Sequence, residues 1–112
     1  MPYYGRTLEK KFKEANYRLE QKEIVQIGIQ LINALESIHA AGFTYNDLKC
    51  DNIVIDDSDN LRLIDFGFAT RFRSSEGEHL SQKSMKHFRG NMIFASLNMF
   101  EFKSTSRRDD LI

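Results

Sequence analysis

The most regular pattern of apolar and polar positions lies in residues 20–41. Apolar side chains recur there in steps of three and four, which is typical of one face of an α-helix: Ile24, Ile27, Leu31, Leu35 and Ile38. Three more widen this stripe: Val25, Ile29 and Ile32. A helix that is apolar over so much of its circumference is expected to be buried on several sides. The pattern therefore predicts a long structural helix, which Gly42 is well placed to end.

Weaker patterns predict the other elements. Thr7 can cap a short helix whose apolar positions follow at i, i+4 and i+7: Leu8, Phe12 and Ala15. Residues 52–56 and 61–64 are typical of two short strands, and the polar turn between them predicts a hairpin. Residues 70–90 are polar and predict a long loop, and a further helix begins near Thr105.

Composition and charge narrow the class of protein. The 112 residues contain 16 basic and 16 acidic side chains, so the net charge gives no reason to expect nucleic-acid or membrane binding. The single Cys50 cannot form an internal disulfide, and no Cys/His cluster has zinc-site spacing. The start of the chain lacks the apolar core of a signal peptide, and no apolar run is long enough to span a membrane. We therefore expect a cytoplasmic or nuclear protein.

The charge is uneven in one segment. Residues 71–89 carry five Lys or Arg against two Glu, together with two His. Two interpretations stay open, a solvated loop and a local surface that attracts anions.

Two polar clusters flank the predicted hairpin. The first is N-D-L-K-C-D-N at residues 46–52, and the second is D-F-G at residues 65–67. Because a hairpin brings its two outer ends together, four side chains are expected to converge: Asp47, Lys49, Asn52 and Asp65. Carboxylate, carboxamide and ammonium groups in one place are what a magnesium-phosphate site needs.

The spacing D-x-K-x-x-N, then a hairpin, then D-F-G resembles the catalytic loop and metal-binding motif of eukaryotic protein kinases. Upstream, IHAAGFTYNDLKCDNIVI resembles the end of the long C-lobe helix running into that loop. The segments GRTLEKKF, GNMIFASLN and SRRDDL are similar to runs of the casein kinase I family. The resemblance covers essentially the whole chain and rests on the order and spacing of five motifs.

The resemblance implies an α+β, mainly α-helical fold: a partial kinase C-lobe with a small β-hairpin between the catalytic loop and D-F-G. Residues 1–112 would run from just past the hinge to the start of the central C-lobe helix, with the N-lobe and the rest of the C-lobe absent. No G-x-G-x-x-G loop occurs in the sequence.

The resemblance also implies roles for individual residues. Asp47 matches the catalytic aspartate that takes the substrate hydroxyl proton. Lys49 matches the lysine that offsets charge on the transferred phosphate. Asn52 and Asp65 match the magnesium ligands that hold the cation on the nucleotide phosphates. Five further residues match structural supports of the site: Tyr45, Phe66, Gly67, Asn91 and Asp110.

Four positions depart from the family pattern. The usual H-R-D is Tyr45-Asn46-Asp47 here, and Asn46 cannot pair with a phosphate on the activation loop as the arginine does. Asn91 replaces a threonine, and Ile93 stands where the family has an arginine for phosphate-primed substrates. We expect no phosphorylation switch through position 46.

The implied function is an ATP- and Mg²⁺-dependent serine/threonine protein kinase acting on protein substrates, with acidic ones left open. One alternative is a catalytically inactive C-lobe module that binds or regulates a partner through its exposed surface. The other is an unrelated domain with coincidental motifs. For the isolated chain we expect weak or absent activity and marginal folding, because exposed apolar surface on helix 20–41 favours aggregation or a partner.

Overall fold

The computed structural model describes residues 5–85 and 94–111. It divides into two compact units, the first formed by Met1–Ala34 and Lys49–Asp65 and the second by Leu35–Leu48 and Phe66–Ile112. The regular elements, in chain order, are β1 (Arg6–Thr7), α1 (Leu8–Glu14), α2 (Gln21–Ala40), β2 (Phe43–Thr44), β3 (Ile53–Ile55), β4 (Leu61–Leu63), β5 (Thr70–Arg71) and α3 (Leu97–Phe100). Two short 3₁₀-helices lie at Cys50–Asn52 and Arg107–Leu111.

The first unit contains a three-stranded antiparallel sheet in the order β1-β3-β4. All three residues of β3 are buried, and β3 pairs with β4 where the sequence predicts a hairpin, with Ile53 opposite Leu63 and Ile55 opposite Leu61. The turn between them is built on Asp56, whose Oδ1 accepts the backbone N–H groups of Ser58 and Asn60 at 2.9 Å. This side-chain-to-backbone turn fixes the register of the two strands.

The two ends of helix α1 have local causes. Thr7 caps its start, because the hydroxyl oxygen accepts the N–H of Lys10 at 3.2 Å, as predicted. The helix ends before Asn16 and Tyr17, which have left-handed φ values of 53° and 59°. Leu8 is its buried residue.

Helix α2 has nearly the predicted bounds, and Gly42 follows it with a left-handed φ of 93°. The prediction that this helix is buried on several sides is wrong for the described residues. Leu35 is buried, whereas four residues of the wider stripe are 51–58% exposed: Ile24, Val25, Ile29 and Ile32. The other elements of the unit that contains the first part of α2 are one short helix, a short 3₁₀-helix and three short strands, and they leave these four side chains exposed.

The second unit has its core where β2 and β5 pair antiparallel, with Phe43 opposite Arg71 and Thr44 opposite Thr70. The largest fully buried side chains are those of Tyr45, Phe72 and Thr44. The predicted loop 70–90 begins with strand β5, and its described part ends at residue 85. Near the predicted start at Thr105 the structure has the 3₁₀-helix Arg107–Leu111, with Asp109 and Asp110 in its first turn.

Two predicted positions, Asn91 and Ile93, lie outside the described residues. Within the ranges 5–85 and 94–111, no helix is both long enough and apolar enough to cross a membrane.

Candidate active site

The loop that carries Asp47 lies in the core of the second unit. Tyr45 is fully buried and Asp47 is 2% exposed. The ring of Tyr45 meets the ring of Phe66 edge-on, with the centroids 5.4 Å apart. Phe66 is itself about half exposed, at 52%. The aromatic pair therefore joins the residue that follows Asp65 to the loop that precedes Asp47.

Asp110 holds the backbone of this loop. Its Oδ2 accepts the N–H of Tyr45 and its Oδ1 accepts the N–H of Asn46, each at 2.8 Å. Nε2 of His39 also lies 2.8 Å from Oδ2 of Asp110. Because the carboxylate is 4% exposed, these contacts replace its hydration and fix the path of the chain into Asp47.

The side chain of Asn46 makes a second set of contacts. Its Nδ2 donates to the carbonyl oxygen of Phe68 and to Oγ1 of Thr70, both at 2.8 Å. Its Oδ1 accepts the hydroxyl of Thr105 at 2.6 Å. The backbone φ of 68° at Asn46 is left-handed, a conformation that Asn tolerates better than most residues.

Three threonine hydroxyls close this network. Oγ1 of Thr44 lies 2.9 Å from Oγ1 of Thr70 and 3.1 Å from Oγ1 of Thr105. Thr44 is fully buried and Thr105 is 7% exposed. Sequence reasoning missed all three threonines and His39. The signal available was small, since these residues stand alone among apolar or loop neighbours and belong to no motif.

The first unit holds the other sequence-predicted residues. Lys49 has extended backbone just before the 3₁₀-helix Cys50–Asn52, and its carbonyl accepts the N–H of Asn52 at 3.0 Å. The carbonyl of Asn52 accepts the N–H of Ile64 at 2.9 Å. Asp65 follows Ile64 directly, so the backbone at Asn52 lies close to the backbone at Asp65 at the open end of the hairpin.

The backbone at Asp65 is unusual. Its φ of 63° is left-handed, so the turn of the D-F-G segment falls on the aspartate itself. Few non-glycine residues adopt this backbone conformation, and those that do cluster at functional sites. Gly67 is exposed two residues further on, and its predicted role in the turn stays a prediction.

The structure therefore brings together Asn52 and Asp65 in the first unit and Tyr45, Phe66 and Asp110 in the second. Asp47 belongs to the second unit and Lys49 to the first. Convergence of Asp47, Lys49, Asn52 and Asp65 at one point stays a prediction.

The donor set of Asn52 and Asp65 suits a hard cation. Mg²⁺ is bound in proteins by one or two carboxylate or carbonyl oxygens, and it completes its shell with water and substrate phosphates. Within the described ranges, no three His, Cys, Asp or Glu side chains gather as a metal cluster. One carboxylate and one carboxamide are ligands of the kind that Mg²⁺ takes when it is held jointly with a nucleotide.

Cys50 lies between Lys49 and Asn52 in the chain and is partly buried. Burial raises the pKa of its thiol, and the carboxylates of Glu9 and Asp51 raise it further. Because the thiolate is the reactive form, a raised pKa fits a structural residue.

A cavity of about 670 Å³ lies in the second unit. Four basic side chains are among its lining residues: Arg71, Lys83, Arg107 and Arg108. The guanidinium of Arg107 lies over the ring of Phe72, 5.0 Å from its centroid. The two interpretations of the basic loop both stay open.

Comparison with known proteins adds to this geometry. The protein kinase domain family matches residues 1–109. The chain is 33% identical to casein kinase I homolog 1 of Saccharomyces cerevisiae over 96% of its own length and 21% of the relative's. It is also 33% identical to a probable casein kinase I homolog of Encephalitozoon cuniculi, and 32% identical to the B1 kinase of vaccinia virus. The match to the Encephalitozoon cuniculi protein covers 99% of this chain, and the match to the vaccinia virus kinase covers 96% of it. Each match covers 37% of the relative's length.

The chain belongs to the protein kinase family, a class whose fold mixes helix and sheet. Within that class it is similar to casein kinase I homologues, as its sequence indicates. It spans about a fifth to two fifths of the length of these relatives.

Proposed function

We propose that this chain is the catalytic-loop part of an ATP-dependent serine/threonine protein kinase of the casein kinase I type. The reaction is transfer of the γ-phosphoryl group of ATP to a protein hydroxyl. The observation that carries the proposal is the anchored Tyr45-Asn46-Asp47 loop, whose two backbone N–H groups are held by the buried Asp110 carboxylate. Catalysis of phosphoryl transfer is mainly positioning and electrostatics, so a rigid loop suits it.

In this proposal Asp47 accepts a hydrogen bond from the substrate hydroxyl and takes its proton as the oxygen attacks phosphorus. Lys49 offsets negative charge on the phosphoryl group that is transferred. Asn52 and Asp65 hold Mg²⁺, which when bound neutralises charge on the nucleotide phosphates. Tyr45 and Phe66 pack beside the loop, and Asp110 positions it.

The partners follow from this chemistry. ATP and protein substrates with serine or threonine are the proposed ligands, and acidic sequences around the acceptor are one substrate class to compare. The experiment incubates the purified protein, expressed with any sequence that flanks residues 1–112 in its gene, with radiolabelled ATP and acidic or neutral serine peptides. Label on serine that requires Mg²⁺ and is abolished by EDTA is the expected result, and no transfer to either peptide would reject the proposal.

A second candidate is a non-catalytic module that binds a partner. The half-exposed apolar residues of α2 favour it, because surfaces of this kind in soluble proteins often mark interaction sites. The two candidates separate on one comparison. Loss of phosphotransfer in an Asp47 variant supports the enzyme, whereas a protein that transfers no phosphate yet forms a stoichiometric complex through α2 supports the module.

A further inference from the structure

The side chain of Asn46 joins three separate segments of the second unit. Both N–H groups of its carboxamide donate, one to the carbonyl of Phe68 and one to the hydroxyl of Thr70. Its oxygen accepts from Thr105. The segment just after D-F-G and the segment that leads to Asp110 are therefore bonded to one amide, which immediately precedes Asp47.

The contacts on Asn46 require a group that both donates and accepts. A carboxamide has two donors and one acceptor oxygen, whereas a guanidinium only donates and an ionised carboxylate only accepts. An arginine here would leave the Thr105 hydroxyl without this acceptor, and an aspartate would face the Phe68 carbonyl with no donor. The neutral amide is thus the chemical type that these surroundings fit.

The threonines extend the network into the core. Thr70 and Thr105 each contact Thr44 as well as Asn46, so the hydrogen bonds form closed rings. Thr44 and Thr70 are also paired residues of the β2–β5 ladder. Closed networks of buried hydrogen bonds hold their members in one arrangement, because breaking one contact leaves a buried group unsatisfied.

We propose that Asn46 is a positioning residue that fixes the segment after D-F-G to the Asp47 loop by neutral hydrogen bonds. This inference rests on the proposed kinase function, and it assigns the positioning of the Asp47 loop to side chains outside the proposed catalytic set.

The first test is amide hydrogen exchange measured by NMR on the full chain. The probes are Ala69 and Phe72, whose N–H groups donate to Phe66 and Gly42 in the second unit, and Ile64 serves as the reference in the first. Asn46→Asp keeps the shape and removes both donors, and Thr105→Val removes the hydroxyl. Both variants should exchange about tenfold faster at Ala69 and Phe72, the order of effect for losing one or two hydrogen bonds, with Ile64 unchanged.

Thr105→Ser is the matched control, because it keeps the hydroxyl and should restore exchange at Ala69 and Phe72 to within about twofold of the wild type. Equal acceleration at Ile64 in the Asn46→Asp protein would show a general folding role and overturn the proposal. So would unchanged exchange at Ala69 and Phe72 in both Asn46→Asp and Thr105→Val.

The second test is kinetic and uses the protein with its flanking sequence. Asn46→Asp should lower kcat about tenfold with little change in KM for ATP, whereas Asp57→Asn, at an exposed turn of the first unit, should keep wild-type kcat. Full activity in Asn46→Asp would overturn the inference while leaving the kinase function standing. A wild type with no phosphotransfer would reject the kinase function alone, and the exchange result would still decide the network.

Discussion

Oδ2 of Asp110 accepts the backbone N–H of Tyr45 at 2.8 Å, across 65 positions of sequence. The same carboxylate holds the next N–H, so two consecutive peptide groups of the loop are fixed from one buried side chain. The backbone leading into Asp47 is therefore positioned by a residue distant in sequence. The position of this backbone depends on the carboxylate of Asp110, which is almost completely buried.

Replacement of Asp110 by Asn should destabilise the protein. The amide keeps one acceptor oxygen, but its NH₂ group would face one of the two backbone N–H donors. Leaving a buried donor unsatisfied costs about 1–3 kcal/mol, so the free energy of unfolding should fall by about that amount. Denaturant unfolding measures the change. Asp57→Asn, at an exposed turn position, is the control and should change stability by less than about 0.5 kcal/mol; an equally small effect at Asp110 would contradict the anchoring role.

Two glycines should respond in opposite directions to alanine. Gly5 has a φ of 105°, and a Cβ there would lie 2.1 Å from the carbonyl oxygen of Ile55, so Gly5→Ala should cost about 1–3 kcal/mol. Gly28 lies within α2, where an added Cβ would meet open space, so Gly28→Ala should stabilise by about 0.5–1 kcal/mol through helix propensity. Thermal melts of the two variants compare them directly. A change in stability of the same sign in both variants would show that the approach of β1 to β3 is not as described.

The exposed face of α2 should make the chain self-associate. Ile29 and Ile32 are 55% and 58% exposed, and contiguous apolar surface favours association. The double variant Ile29→Gln with Ile32→Gln should shift sedimentation toward monomer while changing the free energy of unfolding by less than about 1 kcal/mol, because neither side chain is buried. The paired change Gln26→Ala with Asn33→Ala, at exposed polar positions of α2, is the control and should not favour the monomer. A large loss of stability in the Gln variant would show that the face is packed.

The turn on Asp56 should lose stability at low pH. Hydrogen bonds from the backbone of Asn60, followed by those from Ser58, lower the pKa of Asp56 below its ordinary value of 3.8. A carboxyl group with a lowered folded-state pKa stabilises the fold above its unfolded-state pKa, and that contribution is lost as pH falls through the folded-state value. Protection of the hairpin amides should therefore drop below about pH 4.

Asp56→Asn separates this titration from the geometry of the turn, since Asn keeps an acceptor oxygen but does not ionise. The variant should show a weaker pH dependence of hairpin amide exchange between about pH 4 and 2. Asp57→Asn removes a carboxylate from the same turn and should leave that dependence in place. Identical pH profiles for the wild type and Asp56→Asn would contradict the assignment.

The sequence predicts the local elements well where one residue type decides them. Thr7 is a cap because its hydroxyl reaches the N–H of Lys10, and Gly42 ends α2 because glycine tolerates a left-handed φ. The 3.6-residue period gives the bounds of α2 to within one residue at each end. Periodicity reports which side chains are apolar, and it does not report what covers them. That is why Leu35 is buried while Ile32 is exposed.

The candidate site also contains residues that the sequence predicts and residues that it does not. Motif order predicts roles for Asp47, Asn52 and Asp65, because their spacing is unusual. The sequence does not single out Thr44, Thr70 and Thr105, since a single threonine carries no pattern and their contacts join residues 26 to 61 positions apart. From the sequence alone, Asn46 is notable only because it replaces the family's arginine. Its hydrogen bonds to Phe68 and Thr105 depend on the tertiary structure.

A comparison of phosphotransfer by the wild type, Asp47→Asn and Asp51→Asn, each expressed with any flanking sequence in the gene, decides whether Asp47 acts as the catalytic base. Asp51 is an exposed carboxylate four residues further along the same loop, so it controls for the loss of one negative charge. Loss of a general base costs about 10²–10⁴-fold in rate. Such a loss is expected in Asp47→Asn, with near-wild-type activity in Asp51→Asn, and equal phosphotransfer by Asp47→Asn and the wild type would rule out this role for Asp47.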